Sequence, residues 1–145
     1  MQDYAVNNSE TSNFELVRLS MGSLTKIYDQ IVDKTDLDGE AGEFLRFYDN
    51  WGKSIIYKIP SGYIRFEPYP RLEASTVHGI FFGNPFRDSE NIKNLLDFYL
   101  DKHPEMTHIE CHVDKKFRGV LKLVGSMATS STYRDEKWIF SYGGK

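Results

Sequence analysis

Hydrophobic positions along this 145-residue chain repeat with a helical period in four segments. The i, i+3, i+4 spacing of an amphipathic helix recurs at 24–32, 44–51, 92–100 and 117–124. Ser23 is the predicted N-cap of the first helix, and Gly125 the predicted C-cap of the last. The third helix is predicted over 88–102, because Pro104 cannot continue it.

Between these stripes the chain is rich in residues typical of β-strands. Strands are predicted in "NFELVRLSM", "SIIYKI", "YIRF", "LEASTVHGIFFG", "THIECHV", "SMATSSTY" and "KWIFSY". The second and third form a hairpin with its turn at Pro60–Gly62, and the last two form another around "RDE". The predicted order is therefore β-α-α-β-β-β-α-β-α-β-β.

One connection in this order fixes the fold class. The helix 88–102 joins the strand ending at Gly83 to the strand at 107–113, and such a crossover makes the two strands parallel neighbours. We expect these strands to diverge at their C-terminal ends. The class is α/β (α+β): a mixed, mostly antiparallel sheet of about seven strands with four helices.

Composition and charge limit the domain organisation and the classes of partner that we expect for this chain. Residues 1–12 are polar and aperiodic, which indicates a flexible tail, and 13–145 form a single predicted domain. Eighteen basic and 21 acidic residues give a net charge of −3, which does not favour binding to nucleic acid or membranes. The only cysteine, Cys111, excludes an intrachain disulfide. A cytoplasmic protein is expected.

The stretch "FFGNPFRDSENIK", at 81–93, runs from a predicted strand directly into a helix. Such a junction has two interpretations. Asp88 or Ser89 caps the helix and Glu90 complements its dipole, so the turn serves structure alone. Alternatively, the N–H groups of the turn and of the helix N-terminus hold a phosphate. The residues themselves leave both interpretations open.

Two segments, "HGIFFGNPFR" and "HIECHVDKKFRGVLKLVGSM", together with the element order, resemble the Gcn5-related N-acetyltransferases over residues 13–145. The resemblance implies acetyl-CoA as the cofactor, with its pyrophosphate on the turn and its pantetheine arm between two strands separated by a β-bulge. No other cofactor is expected. The cofactor-binding residues that it implies are Phe81, Phe82, Gly83, Arg87, Asp88, Ser89, Glu90 and Asn91.

The chain also departs from the family pattern. Glu90 and Ile92 occupy the small positions of the phosphate-binding turn, where a side chain hinders the close approach of the backbone. Leu121 stands where the family often has a tyrosine acid, and Asp114 where it often has an asparagine. We therefore expect weak or vestigial acetyl-CoA binding. Glu73 and His78 are the candidates for a general base.

His108, Glu110 and His112 alternate along one predicted strand and so share a face. Three such residues can bind a metal, but hydrogen-bonded structure is the expected role, with no metal site. Cys111 is expected to be a buried, inert thiol. A cluster of aromatic residues around the first hairpin is expected to pack in the core, with a partner surface as the alternative: Trp51, Tyr57, Tyr63, Phe66 and Tyr69.

The general character of the chain also resembles acetyltransferase-like proteins of tailed bacteriophages. This favours a role in virion head assembly, with phage structural or assembly proteins as partners. The alternative is an active N-acetyltransferase that moves acetyl from acetyl-CoA to a primary amine. The two hypotheses differ in whether the turn 86–92 binds the cofactor.

Overall fold

A computed structural model describes residues 13–34, 47–49 and 51–143. The predicted tail at 1–12 and the start of the second predicted helix lie outside these residues. Residues 47–49 and 51 are helical. The bounded strands and helices are β1 Glu15–Leu16, α1 Met21–Lys34, β2 Ile55–Ile59, β3 Gly62–Tyr69, β4 Ala74–Phe81, α2 Ser89–Lys102, β5 His108–Asp114, α3 Arg118–Met127, β6 Ser130–Arg134 and β7 Lys137–Gly143.

The strands form one seven-stranded sheet in the order β1-β2-β3-β4-β5-β7-β6. Every neighbouring pair is antiparallel except β4 and β5, which run parallel. These two pair only from Ala74 with His108 to Thr76 with Glu110, and then separate. The predicted fold class, the parallel pair and its divergence are therefore confirmed.

The helices cover the two faces of the sheet. On one face, α2 and α3 pack on a core in which the rings of Phe66 and Tyr99 stack with centroids 4.0 Å apart. On the other face, α1 packs against Ile56 and Tyr63. Since side chains alternate along a strand, each strand of the hairpin contributes to both cores. No helix among the described residues is long and apolar enough to span a membrane.

Four of the five aromatic residues predicted to pack in the core are buried, and Tyr69 is exposed. Trp51 and Tyr63 belong to the core under α1, whereas Tyr57 and Phe66 belong to the core under α2 and α3. The cluster is therefore divided by the sheet and does not form one surface.

Several predicted boundaries are wrong. The first strand spans two residues, where nine were expected. α1 begins earlier than predicted, and Ser20 accepts the N–H of Ser23 at 3.0 Å while Ser23 Oγ accepts the N–H of Ser20 at 2.9 Å. This reciprocal pair makes Ser20 the cap. Gly125 lies inside α3, which ends at Met127, because the hydrophobic face continues to that residue and contacts the core.

Candidate functional site

The separation of β4 from β5 leaves two strand edges without a partner strand. Beyond Thr76, residues 77–81 of β4 pair only with β3, and beyond Glu110, residues 111–114 of β5 pair only with β7. We call the gap between 77–81 and 111–114 the β4–β5 opening. The N–H and C=O groups along it are unpaired within the sheet, so they are available to a ligand that carries amide groups.

The predicted β-bulge is absent from β4. The ladder between β3 and β4 runs without interruption from Gly62 opposite Phe81 to Tyr69 opposite Ala74. The separation of the two strands is therefore not caused by an extra residue in β4. Gly79 lies beside the opening, and a Cβ there would approach Cζ of Phe81 to 2.6 Å.

An apolar cavity of about 100 Å³ lies next to the opening on the face covered by α2 and α3. Its walls come from β4, β5, β7 and both helices, and include Val77, Phe81, Leu96, Cys111, Val124 and Tyr142. Burial raises the pKa of the Cys111 thiol to about 11. A raised pKa disfavours the thiolate at neutral pH, which makes this thiol a weak nucleophile.

The turn before α2 lacks the side-chain capping hydrogen bond that a simple helix cap would have. Asp88 occupies the N-cap position, but its side chain makes no capping hydrogen bond. Its carboxylate instead accepts the N–H of Ser61, in the hairpin turn, at 2.9 Å. The sequence predicts Asp88 or Ser89 as the cap; Asp88 takes the N-cap position, but the capping hydrogen bond expected from its side chain is absent. The N-terminal N–H groups of α2 do not receive this carboxylate, and such groups attract anions.

The other residues implied for cofactor binding differ in whether their hydrogen-bonding groups are already used within the protein. The N–H groups of Phe82 and Gly83 already donate to the carbonyl of Ser61, at 2.6 and 3.2 Å. The side chain of Asn91 exchanges two hydrogen bonds with the backbone of Asn13. Arg87 and Glu90 are exposed at the turn, Ser89 is the first residue of α2, and Phe81 lines the cavity.

Ile92 does not obstruct the turn, contrary to expectation. Its side chain is 6% exposed and packs in the core with Leu95, Leu96 and Tyr99. These residues share one face of α2, which is the face turned to the sheet. Of the two expected obstructions, only the carboxylate of Glu90 remains at the surface of the turn.

The two candidate bases lie far apart on β4. Glu73 precedes the strand in a left-handed conformation, with φ of 53°, and its carbonyl accepts the N–H of Thr107 at 2.6 Å. This is the end where β4 and β5 are still paired. His78 lies five residues further, about 16 Å along the strand, at the opening. Only His78 is therefore close to the opening.

His78 projects from the face opposite the cavity, the same face that α1 covers over β2 and β3. It lies opposite Arg65 in the β3–β4 register. The pKa of His78 is lowered to about 4, mainly by desolvation and then by the positive charge of Arg65, although Glu67 acts in the opposite direction. At neutral pH the ring is uncharged.

Arg65 is a residue of this face that the sequence analysis did not single out. Its guanidinium lies 5.5 Å from the ring centroid of Trp51 and donates to Ser54 Oγ at 3.1 Å. Its Nε is buried and has no hydrogen-bond partner among the described residues. The strand register is what brings it beside His78, and a single sequence does not reveal that register.

His108, Glu110 and His112 share the same face, as predicted, and are bonded to one another. Nε2 of His108 lies 3.0 Å from Oε2 of Glu110, and Nε2 of His112 lies 3.1 Å from Oε1. Hydrogen bonds from His108 and then from His112 lower the pKa of Glu110. In the part of the chain that the structure describes, no group of three such residues has the geometry to hold a metal.

Two hydroxyl groups near the cavity are already bonded. Tyr142 donates to Asp97 Oδ1, and its pKa is raised by burial and then by this carboxylate. Tyr99 donates to Ser75 Oγ at 3.0 Å. Both phenol groups are therefore already used in hydrogen bonds. Leu121 lies in α3, and Asp114 accepts the N–H of Lys116 at 3.0 Å, just before α3 begins.

Solved structures of acetyltransferases share this fold, although no family model and no curated protein matches the sequence. Spermidine N-acetyltransferase from Vibrio cholerae, in complex with CoA and spermine, has a TM-score of 0.58 at 12% identity, over 89% of this chain and 93% of that chain. A mutant of the same enzyme has a TM-score of 0.63 at 10% identity, over 88% and 92%. An acetyltransferase from Agrobacterium tumefaciens has a TM-score of 0.59 at 12% identity, over 90% of each chain.

The chain therefore has the fold of the Gcn5-related N-acetyltransferases. The interpretation as a phage head-assembly protein is wrong, because several of the structural neighbours are spermidine N-acetyltransferases. The expectation of phage assembly partners stays a prediction that these likenesses do not test.

Proposed function

We propose that this protein is an N-acetyltransferase that moves an acetyl group from acetyl-CoA to a primary amine. The observation that carries the proposal is the β4–β5 opening. Its unpaired backbone edges lie between an apolar cavity on one face and a row of histidine and carboxylate side chains on the other. A thioester held in the opening is accessible to an amine from the polar face.

The chain offers the cofactor three kinds of contact. The unpaired N–H and C=O groups of 77–81 and 111–114 pair with the amides of the pantetheine arm, as an added strand does. Phe81 and the cavity accept apolar parts of the arm. The N-terminus of α2, with Arg87, faces the pyrophosphate, because the helix dipole and the guanidinium both favour an anion there. Acetyl-CoA supplies an activated carbonyl.

Not all of the residues suggested by the family resemblance take part in this arrangement. Phe81, Arg87, Asp88, Ser89 and Glu90 border the site. Asp88 acts indirectly, because it ties the turn to Ser61. Phe82, Gly83 and Asn91 hold the turn in place through bonds that are already made. Their contribution is to the shape of the turn and not to direct contact with the cofactor.

An assay of acetyl transfer tests the proposal. Purified protein is incubated with acetyl-CoA and a panel of amines that includes spermidine, spermine, free lysine and a lysine peptide, and released CoA thiol is measured. We expect release that depends on at least one amine, together with an acetylated product of the expected mass. Release without an acceptor, or none with any amine at millimolar acetyl-CoA, contradicts the proposal.

The site variant for this assay is Arg87→Ala, and its matched control is Arg71→Ala. Both arginines are exposed and lie in short 3₁₀ turns next to β4, but Arg71 lies at the opposite end of that strand. Arg87→Ala raises the KM for acetyl-CoA because a charge-assisted hydrogen bond to phosphate is lost. Arg71→Ala leaves this KM unchanged.

A further inference from the structure

His108, Glu110 and His112 form the histidine–glutamate row. Of its two histidines, only His112 has a ring nitrogen without a hydrogen-bond partner among the described residues. Glu110 is a carboxylate and can only accept, so His108 and His112 both donate from Nε2. Nδ1 of His108 lies 3.0 Å from Thr107 Oγ1. Nδ1 of His112 has no hydrogen-bond partner among the described residues, and its side chain is 42% exposed. It therefore presents a lone pair to solvent.

The position of His112 along β5 places this lone pair at the opening. Thr76 and Glu110 are the last parallel pair, so His112 is the first residue of this face beyond the point of separation. Across the opening lies His78, close enough that the charge of His112 lowers the pKa of the His78 ring. The two imidazoles thus stand on opposite sides of the gap, on the face away from the cavity.

This part of the face is not covered by α1. The core under α1 involves Ile56, Tyr63, Ile80 and Phe82, all at the β2–β3 side or at the end of β4. The row on β5 lies beyond it, and His108, Glu110 and His112 keep side-chain exposures of 26, 34 and 42%. A small amine can therefore reach His112 from solvent.

The titratable groups on this face of the sheet come from four strands. Glu110 and Asp114 lie on its own strand, and His78 lies on β4. From β3, Arg65 and Glu67 form a pair at 3.5 Å. On β7, Ile139 lies directly opposite His112, and Lys137 lies opposite Asp114. Of these groups, only Glu110 bonds to the His112 ring, so it fixes the orientation of that ring.

We infer that His112, oriented by Glu110, is the base that accepts the proton of the acceptor amine. This inference rests on the proposed acetyl transfer and assigns a residue to it. It places the base on β5, whereas the candidates from the sequence, Glu73 and His78, are both on or before β4. Glu110 acts as a positioning residue, because it holds Nε2 of His112 and leaves Nδ1 turned to the substrate.

The transfer removes two protons from the acceptor nitrogen. Nδ1 of His112 takes one proton from the substrate ammonium, and the free amine attacks the thioester carbonyl carbon. The C–S bond of the resulting adduct breaks, and a second proton leaves the nitrogen for the departing thiolate. The products are the amide, CoA thiol and one proton, which His112 releases to solvent. No acid from the chain is needed, so leucine at position 121 does not prevent the reaction.

His78 is less suited to this role. Its ring is desolvated and lies opposite Arg65, and both effects favour the uncharged form, which makes it a poor proton acceptor. A base is most effective when its pKa is near the working pH. In the proposed arrangement His78 borders the acceptor site and does not take the proton of the amine.

The test compares His112→Ala, Glu110→Gln and His78→Ala with His103→Ala, which is the matched control. His103 is also a histidine beside a glutamate, 3.6 Å from Glu105, but it lies at the C-terminus of α2, outside the proposed site. Each variant is assayed for acetyl-CoA affinity, for kcat/KM of the amine from pH 5 to 10, and for rescue by added imidazole.

His112→Ala is expected to lower kcat/KM by about 100- to 10,000-fold, to leave acetyl-CoA affinity unchanged and to regain activity with imidazole. Glu110→Gln is expected to lower kcat/KM of the amine less than His112→Ala does and to leave acetyl-CoA affinity unchanged, because the His112 ring loses the carboxylate that orients it but keeps Nδ1. His103→Ala behaves as the wild type. Rescue of Glu110→Gln by imidazole, with acetyl-CoA affinity unchanged, is a result that a merely structural role of Glu110 does not give.

The assignment is overturned, and acetyl transfer left intact, by His112→Ala as active as His103→Ala or by a loss of the ascending limb in His78→Ala alone. A wild-type protein that neither binds acetyl-CoA nor acetylates any amine overturns the proposed function and the base together. Loss of acetyl-CoA affinity in His112→Ala, without rescue by imidazole, also overturns the assignment.

Discussion

Asp88 is a residue whose role depends on a partner distant in sequence. At the start of a helix an aspartate normally accepts N–H groups of the first turn. Here its carboxylate bonds the N–H of Ser61, 27 residues away, and so joins the β2–β3 turn to the start of α2. Local sequence could not predict this choice, because the competing donor is brought near only by the folded sheet.

Glu90 is an exposed side chain at this turn whose charge opposes a phosphate. It is exposed in the first turn of α2. Glu90→Gln removes the charge and keeps the size and backbone preference of the side chain. Because two unit charges 4 Å apart in water repel by about 1 kcal/mol, we expect about fivefold tighter binding of acetyl-CoA.

Calorimetric titration of the wild type and Glu90→Gln measures this change. Lys93→Gln is the control, because Lys93 is exposed on the same helix one turn further on. The gain should shrink as ionic strength rises, since an exposed charge is screened. Equal affinities of wild type and Glu90→Gln at low salt would show that the phosphate does not lie near this carboxylate.

At the scale of elements, the hairpin β2–β3 supports the turn that precedes α2. The carbonyl of Ser61 accepts the N–H groups of Phe82 and Gly83, and the N–H of Ser61 donates to Asp88. Gly62 follows directly and pairs with Phe81. A Cβ at Gly62 would lie 1.9 Å from the carbonyl oxygen of Ile80. The close packing of two strands therefore requires a glycine here.

Gly62→Ala is expected to destabilise the protein by about 2 kcal/mol or more, because the strands must separate to admit the methyl group. Gly119→Ala is the matched control. Gly119 lies in α3 with no atom within 4 Å of a Cβ placed there, so alanine is expected to raise stability by about 0.5–1 kcal/mol. Chemical denaturation measures both. Equal effects of the two substitutions would contradict the close approach of β3 to β4.

Periodicity predicted the elements better than it predicted their ends. The stripe at 92–100 placed Ile92 on the buried face of α2, and the structure confirms this position. Comparison with the family motif placed the same residue in the phosphate-binding turn, which was wrong. A hydrophobic stripe reflects packing of this chain itself, whereas a motif assumes that another chain's turn geometry is retained.

At the scale of the whole molecule, the seven-stranded fold and its parallel pair could be predicted because a crossover helix permits few topologies. The candidate site could be predicted only in part. His112 and Glu110 were recognised as neighbours on one face, since a strand alternates its side chains. Their position opposite His78 depends on how β4 and β5 pair and where they separate, which no local pattern in the sequence shows.

The central claim is that acetyl-CoA binds in the β4–β5 opening. Backbone amide NMR with added acetyl-CoA tests it most directly, because each amide reports on its own surroundings. We expect the largest shifts at 77–81 of β4, at 111–113 of β5 and at 89–91 of α2, with little change at the exposed strand β6. Shifts that are absent at millimolar acetyl-CoA, or that concentrate away from the opening, would contradict the account.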